Sequence, residues 1–465
     1  MSFIMKDSKN GLIQQLRALL DDDNAAQIIK LLKPLRHEDI SDLFRSIDEE
    51  EKYKLFSCLQ KGFPRTTAAQ VLEDLDPRSE SIVVKKLLDK ELIELIHSME
   101  DDNAADLIEE LPEQRSKRIL NLLRSRQDDT LHELLQYEGD TAGGVMTQDY
   151  IAVRDTATVQ QALLKIRRRA KTNRDIYNIF IIDHYHHLVG ILPLRNLLRA
   201  KGRESVSNIF HHDVIKVHVD ADQEEVAHIV RKYDILSVPV VDNDNKLVGV
   251  ITVDDIIDII HEEFTEDILT MAGTNEDELI TTSVFNISRL RLPWLLTCFI
   301  GSALNIFIMH WIGEDILANI LALSYFIPAL IAMGGNIGIQ SSTITIRGLT
   351  TGRIDSHNWF KAVFRETRVG FTLGLIIGVI IGGLGAVISY YLFKQSPYIG
   401  LVVGISMVIG SSFSAFTGAI MPFILSRYNV DPAKAAGPFV TTANDISGII
   451  IYFLTASLLL TFLMK

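Results

Sequence analysis

Residues 441–448 read Thr-Thr-Ala-Asn-Asp-Ile-Ser-Gly and open into an apolar run, 449–464, long enough with its flanks to cross a membrane. Asp445 is the only charged residue between Ala435 and Met464. A carboxylate at membrane depth costs about 2.5–3.5 kcal/mol on insertion scales, so it has to face a protein interior or a water-filled path. Two readings follow from the residue alone. It is either a locally paired group that holds helices together, or a carboxylate on an ion pathway.

Four further apolar windows accompany it. The five together fall near Leu292–Ile312, Ile316–Ile344, Val363–Leu392, Tyr398–Leu425 and Ala435–Met464. Arg289, Arg291, Arg347, Arg353, Lys361, Arg365, Arg368, Arg427 and Lys434 lie on one side of these spans, and only Lys394 and Lys465 on the other. The positive-inside rule then places the N-terminal half in the cytoplasm and the C-terminus outside. The polar start, Met1–Asn10, is unlike a secretory signal and agrees with that orientation.

The formal charge of −13 is unevenly shared. Residues 289–465 carry 11 Lys+Arg and 6 Asp+Glu, whereas residues 1–288 carry 35 and 53, a balance of −18. An acidic half of that size argues against nucleic-acid binding, which needs a basic face. Cys58 and Cys298 form neither a disulfide framework nor a zinc-ligand spacing.

The spans carry more pattern than an anchor needs. Gly370, Gly374, Gly378 and Gly382 recur every four residues, a face that lets another helix approach closely; Ser414 and Gly418 offer a shorter version. Asn336, Gln340 and Thr343 fall at i, i+4 and i+7 and share one helical face. That face is expected to meet Asn444 and Asp445, with Pro328 bending the helix before it. Interhelical hydrogen bonding alone is the plainer alternative.

The acidic half is built from repeats. Asp175–Asp183 and Asp234–Asp242 align at an offset of 59 residues, and Leu188-Val189-Gly190 recurs as Leu247-Val248-Gly249. Each unit has a helical stretch (Val159–Ala170, Gln223–Tyr233), two apolar strands about a polar turn, and a following helix. The pair resembles tandem CBS domains over about Gly143–Glu263. The adenosyl signature Gly-x-x-Thr/Ser-x-x-Asp stands in the second unit as Gly249, Thr252 and Asp255, and the first has Pro193 and Asn196 instead. A helix cap is the alternative reading of Thr252 and Asp255. Upstream, residues 11–137 are helical by pattern. Asp22-Asp23-Asn24-Ala25-Ala26 returns as Asp101-Asp102-Asn103-Ala104-Ala105, read in both places as an N-cap before a helix, and the repetition predicts a superhelical domain.

Between the CBS pair and the spans, Asp254–Met271 forms an amphipathic helix. Its apolar stripe is Ile256, Ile257, Ile260, Phe264, Ile268 and Met271, and its other side carries Asp258, Glu262, Glu263, Glu266 and Asp267. The expected organisation is an α-helical superhelical N-terminal domain (1–140), an α/β tandem CBS pair (141–253), a connecting or plug helix with its linker (254–288) and a five-helix all-α transmembrane domain (289–465).

Acidic helical repeats, a CBS pair, an acidic connecting helix and five spans now stand together with Gly334-Gly335-Asn336-x-Gly338-x-Gln340. The last span adds Asp431-Pro432-Ala433, Gly437-Pro438, Thr442, Asp445 and Gly448. The combination resembles the MgtE family of magnesium channels over about residues 11–465. The resemblance implies a homodimer with a pore on its twofold axis, in which Asp445 holds a largely hydrated Mg²⁺. Asn336, Gln340, Thr441, Thr442 and Asn444 would add polar contacts, and Asp431 would attract cations at the inner end. It also implies regulatory Mg²⁺ sites at Asp102, Asp106, Glu224, Asp234, Asp255, Asp258, Glu263, Glu266 and Asp267, whose occupation closes the pore. Members of the family bind ATP between the CBS units. Arg195 is retained here and Thr252 keeps the second unit's signature, but Asn178 and Asn196 replace the expected aromatic and acidic groups, which argues against ATP.

Two rival readings stay open: a transporter of the same build for Co²⁺ or Ni²⁺, and a membrane-anchored CBS nucleotide sensor without transport. Oxygen ligands and the absence of a Cys/His cluster in the spans favour Mg²⁺ over softer ions. No P-loop and no nucleophile–base arrangement points to an enzyme.

Overall fold

The computed structural model describes residues 2–124, 130–169, 177–281, 283–354, 358–428 and 430–463. The chain divides into two compact units, Met1–Glu263 and Phe264–Lys465.

The first unit begins with a run of mostly short helices, most of which pack on the one two places along. Glu49–Gly62 lies on Pro77–Lys86, and Arg65–Glu73 on Asp89–Ile96. Local chemistry sets their ends. Asp76 Oδ1 accepts from the Ser79 backbone N–H at 3.1 Å ahead of Pro77, and Glu51 Oε2 accepts from the Asp48 N–H at 2.9 Å. The two Asp-Asp-Asn-Ala-Ala copies start their helices differently. Asn24 caps Ala25–Leu32 by accepting from Gln27 N–H at 3.3 Å, after a left-handed turn at Asp23. In the second copy extended Glu100 takes the cap position, so Asp101, Asp102 and Asn103 lie inside the first turn of Asp101–Glu109. The expectation of an Asn cap holds only for the first copy.

Two three-stranded sheets follow, β1 (Ala152–Arg154), β2 (Asn178–Ile182) and β3 (Leu188–Pro193), then β4 (Val217–His218), β5 (Ser237–Val241) and β6 (Leu247–Thr252). In each, the first strand pairs parallel with the second and the second antiparallel with the third. The 59-residue repeat extends to details. A bulge falls at Ile181/Ile182 and again at Val240/Val241, and the hairpin turns put His186 and Asn245 at positive φ. Asp175 and Ile176 of the first repeat lie outside the described residues. One continuous apolar core joins Phe44, Phe56 and Ile108 of the helical repeats to Val226, Val238 and Ile251 of the second CBS unit and to Ile256 and Ile259 at the start of the connecting helix.

The connecting helix runs Val253–Ala272. The second unit holds five helices long and apolar enough to cross a membrane, among the described residues. The first starts earlier than its apolar window and runs Val284–Asn319. The second window proves to be two elements, a 3₁₀ segment Leu321–Phe326 and the helix Ile327–Thr350. Pro328 sits in the first turn of that helix and starts it rather than bending it, because the missing N–H there would be unpaired anyway. The fifth window also splits, at Gly437, into a short helix Ala433–Ala436 and the span Pro438–Leu463.

Small residues set the packing of the spans. A Cβ on Gly378 or Gly382 of the third span (Trp359–Tyr391) would sit 2.7 Å from the carbonyl oxygen of Gly404 or Gly400 in the fourth (Tyr398–Arg427). Gly418 packs in the same way on the Gly338 backbone of the second span. Tyr452 anchors the fifth span by donating to the Leu323 carbonyl at 2.8 Å.

Candidate ion site and acidic cluster

Asp445 is half-buried, one residue after Asn444, which is almost wholly enclosed. Asn444 Oδ1 accepts from Thr417 Oγ1 at 2.6 Å, and its Nδ2 lies against the face of Gly338, where any side chain would collide. The neighbouring hydroxyls turn to their own helix: Thr441 Oγ1 donates to the Gly437 carbonyl at 3.2 Å and Ser447 Oγ to Ala443 at 2.8 Å. Thr442 presents its methyl to Gly301 of the first span.

Asn336, Gln340 and Thr343 do share a face, and all three are exposed on it. The expected meeting of that face with Asn444 does not occur within the chain. The buried side of the second span instead combines Gly334, Gly338, Ser341, Ser342 and Thr345 with Ile337 and Ile346, and Gly334 and Gly338 admit Ser414 of the fourth span and Asn444 of the fifth. Asn444 consequently packs on Gly338 and Thr417.

Asp431 caps the helix Ala433–Ala436, its Oδ1 accepting from the Ala433 N–H at 2.7 Å. Asp267 of the connecting helix lies close enough to feel its charge. Burial first, and the Asp431 charge second, push the Asp267 carboxyl up to about 6 against the opposing pull of Arg347. The Arg347 guanidinium sits 4.9 Å from the centre of the Phe264 ring. The connecting helix gives way to a turn at Gly273, whose φ is +79°. Beyond it Glu278 accepts from Arg291 Nε at 2.9 Å, from a second guanidinium nitrogen of Arg291 and from the Thr274 hydroxyl, which together hold its carboxyl down at about 2.

The cytosolic candidates divide. Asp102, Asp106 and Asp255 come together in the first unit, with Glu100 and Glu262 as acidic neighbours. Burial, and then the Asp255 and Glu100 charges, raise the Asp102 carboxyl well above its usual range. Burial and Glu262 bring Asp106 to about 7. Asp255 reaches about 6 through burial, even though the Thr252 hydroxyl (2.7 Å) and backbone N–H (3.0 Å) donate to it. Asp102 Oδ1 is buried with no hydrogen-bond partner. Glu263 accepts from Gln223 Nε2 at 2.7 Å. Asp258 and Glu266 are exposed on the connecting helix. Glu224 and Asp234 are exposed at opposite ends of the helix Gln223–Tyr233, Asp234 as its left-handed C-cap. Among the described residues no three His, Cys, Asp or Glu side chains stand close enough to ligate a metal directly.

In the CBS pair, Thr252 is engaged with Asp254 and Asp255 as a cap, and Arg195 is exposed in the helix Leu194–Arg199. Asn178 donates to its repeat counterpart Ser237 at 3.1 Å.

Comparison with known proteins follows the same layout. A family model described as "Divalent cation transporter" (MgtE) matches residues 327–455. The MgtE intracellular N domain matches 35–140, and CBS domains match 142–203 and 206–262. The magnesium transporter MgtE of Thermus thermophilus is 32% identical over 454 residues, 97% of this chain and 98% of that protein. The chain belongs to the MgtE family. The MgtE of Bacillus subtilis is 30% identical over 95% of this chain and 96% of its own length. A solved cytosolic domain of the Mg²⁺ channel MgtE in complex with ATP is 33% identical, with a TM-score of 0.49, over 53% of this chain and 99% of that one.

Several residues of this MgtE chain escaped the sequence reading. Glu80, Glu100 and Glu110 crowd the acidic cluster only because short helices stack, and Glu80 is raised to about 8 by burial and then by Glu110 and Asp106. Thr417 gave no signal beyond being a hydroxyl in an apolar span. Arg347 was counted for topology, while its place over Phe264 depends on tertiary packing.

Proposed function

We propose that the chain is a Mg²⁺-selective, channel-like transporter carrying Mg²⁺ passively into the cell. In this reading its N-terminus is cytoplasmic, and cytosolic Mg²⁺ gates it by binding to the acidic connecting-helix, CBS and helical-repeat surfaces. The observation that carries the pore reading is the pair of polar surfaces left open by one chain: half-buried Asp445, and the exposed face of Asn336, Gln340 and Thr343 on a membrane span. In hydrocarbon such a face is costly, which favours a second copy across a twofold axis with a water-filled path between them. Two Asp445 carboxylates would then hold an ion that sheds water reluctantly, through its hydration shell. Asp431, beside Asp267, would enrich cations at the inner mouth.

Regulatory Mg²⁺ is supported by Asp102. A buried carboxylate oxygen without a donor, facing the charges of Asp255 and Glu100, suits a cation that supplies the missing positive charge. With no trio close enough for direct ligation among the described residues, Asp102, Asp106 and Asp255 would hold Mg²⁺ in part through water. Uptake in a Mg²⁺-auxotrophic strain tests the function. Growth rescue at limiting Mg²⁺, little affected by Co²⁺ or Ni²⁺, is expected; rescue abolished by equimolar Co²⁺ would favour the rival ion.

A further inference from the structure

A cavity of about 460 Å³ lies where the linker meets the start of the first span, lined by Asp277, Thr281, Asn286, Arg289, Leu290 and Pro293. Its volume is in the range of small-molecule sites. The lining holds one cation and one anion, Arg289 and Asp277, which do not close on each other. Among the described residues the Arg289 side chain makes no hydrogen bond or ion pair, and the Asp277 carboxylate accepts only from its neighbour Asn275 at 3.0 Å. The next arginine behaves differently: Arg291 donates from Nε to Glu278 at 2.9 Å and is neutralised there.

Pro293 adds a third polar group. It stands inside the helix Val284–Asn319, and having no N–H it leaves the Arg289 carbonyl, four residues back, without its helical donor. Beyond the cavity the helix face is apolar and bare. Pro293, Leu296 and Ile300 follow at i+3 and i+4 spacing on one side of the span, Leu296 49% and Ile300 68% exposed. A polar cavity at the end of a membrane span, continued by a bare apolar face, matches the two parts of a lipid: headgroup and acyl chain.

We propose that this cavity binds one phospholipid with a phosphoethanolamine headgroup. The Arg289 guanidinium, with the Thr281 hydroxyl and the Asn286 amide, donates to the phosphate. The Asp277 carboxylate and the Arg289 carbonyl accept from the ammonium, and Leu290, Pro293, Leu296 and Ile300 receive an acyl chain. Asp277 would repel a purely anionic headgroup, and a choline group has no N–H to give it. In the orientation proposed above this end of the span lies in the cytoplasmic leaflet. The lipid assignment is independent of which ion the protein carries.

Native mass spectrometry of the full-length protein in detergent tests it, with equimolar dioleoyl phosphatidylethanolamine, phosphatidylcholine and phosphatidylglycerol offered to wild type, Arg289→Gln and Asp277→Asn. Both residues are exposed, so the variants should keep the fold, which an unchanged unfolding midpoint checks. Wild type should retain phosphatidylethanolamine about tenfold over the other two lipids, the weight of one charge-assisted hydrogen bond. Asp277→Asn should abolish the preference over phosphatidylcholine and admit phosphatidylglycerol, and Arg289→Gln should lower retention of all three to background. Equal retention of the three lipids by wild type would overturn the proposal and leave the groove to bulk lipid or a second copy of the chain. Wild-type preference for phosphatidylglycerol would overturn it in favour of an anionic-lipid site. Unchanged phosphatidylethanolamine retention in both variants would overturn it by placing the lipid elsewhere.

Discussion

Gly437 touches the connecting helix: a Cβ at this position would stand 2.8 Å from the Met271 carbonyl oxygen. Gly437 is also where the fifth span begins, immediately before Pro438. The end of the connecting helix and the start of the span bearing Asp445 therefore meet backbone to backbone, with no side chain to absorb a shift.

Gly437→Val should push these two backbones apart at a cost of about 1–3 kcal/mol. The expected outcome is Mg²⁺ flux in liposomes that persists when internal Mg²⁺ is raised, with flux at low internal Mg²⁺ kept. Normal closure in the variant would show that the contact carries no coupling.

Arg347→Ala removes the cation over Phe264 and a positive charge that acts on Asp267 against Asp431. The ring contact alone is worth about 0.5–1 kcal/mol. Two carboxylates left to repel should raise the internal Mg²⁺ needed for closure about two- to fivefold, read from flux against internal Mg²⁺.

The acidic cluster predicts an inverted pH dependence in the absence of divalent ions. Asp255 at about 6, Asp106 at about 7 and Glu80 at about 8 all lie above their unfolded values, so the folded state holds more protons than the unfolded chain. Stability then falls as pH rises from about 4 to 8, by up to about 1.4 kcal/mol per pH unit for each retained proton. Thermal unfolding in chelator should give a higher midpoint at pH 5.5 than at pH 8. Added Mg²⁺ should raise the midpoint more at pH 8, where it no longer displaces protons.

Gly378→Leu and Gly383→Leu separate packing from composition. Gly378 faces the Gly404 carbonyl, whereas a Cβ at Gly383 meets nothing within 4 Å. The first substitution should lower the unfolding midpoint of detergent-solubilised protein by several degrees, and the second should leave it near wild type.

Much of this architecture was readable because it repeats or alternates. The 59-residue offset carried both sheets down to the bulge and the left-handed hairpin residue, and the four-residue glycine spacing marked the helix face that the fourth span covers. What periodicity could not show was which polar face is covered. Asn336 and Gln340 share a face as expected, yet Asn444 turns to Gly338 and Thr417, because close approach is decided by the glycine opposite. The cluster around Asp102 likewise depends on helices distant in sequence.

The account stands on Asp445, and Mg²⁺ influx into liposomes holding purified protein, wild type against Asp445→Ala, tests it most directly. At low internal Mg²⁺ the wild type should conduct and Asp445→Ala should lose at least about tenfold of that flux, and raised internal Mg²⁺ should silence the wild type. Equal flux in the two proteins would contradict the pore assignment and leave Asp445 a residue that only holds helices together.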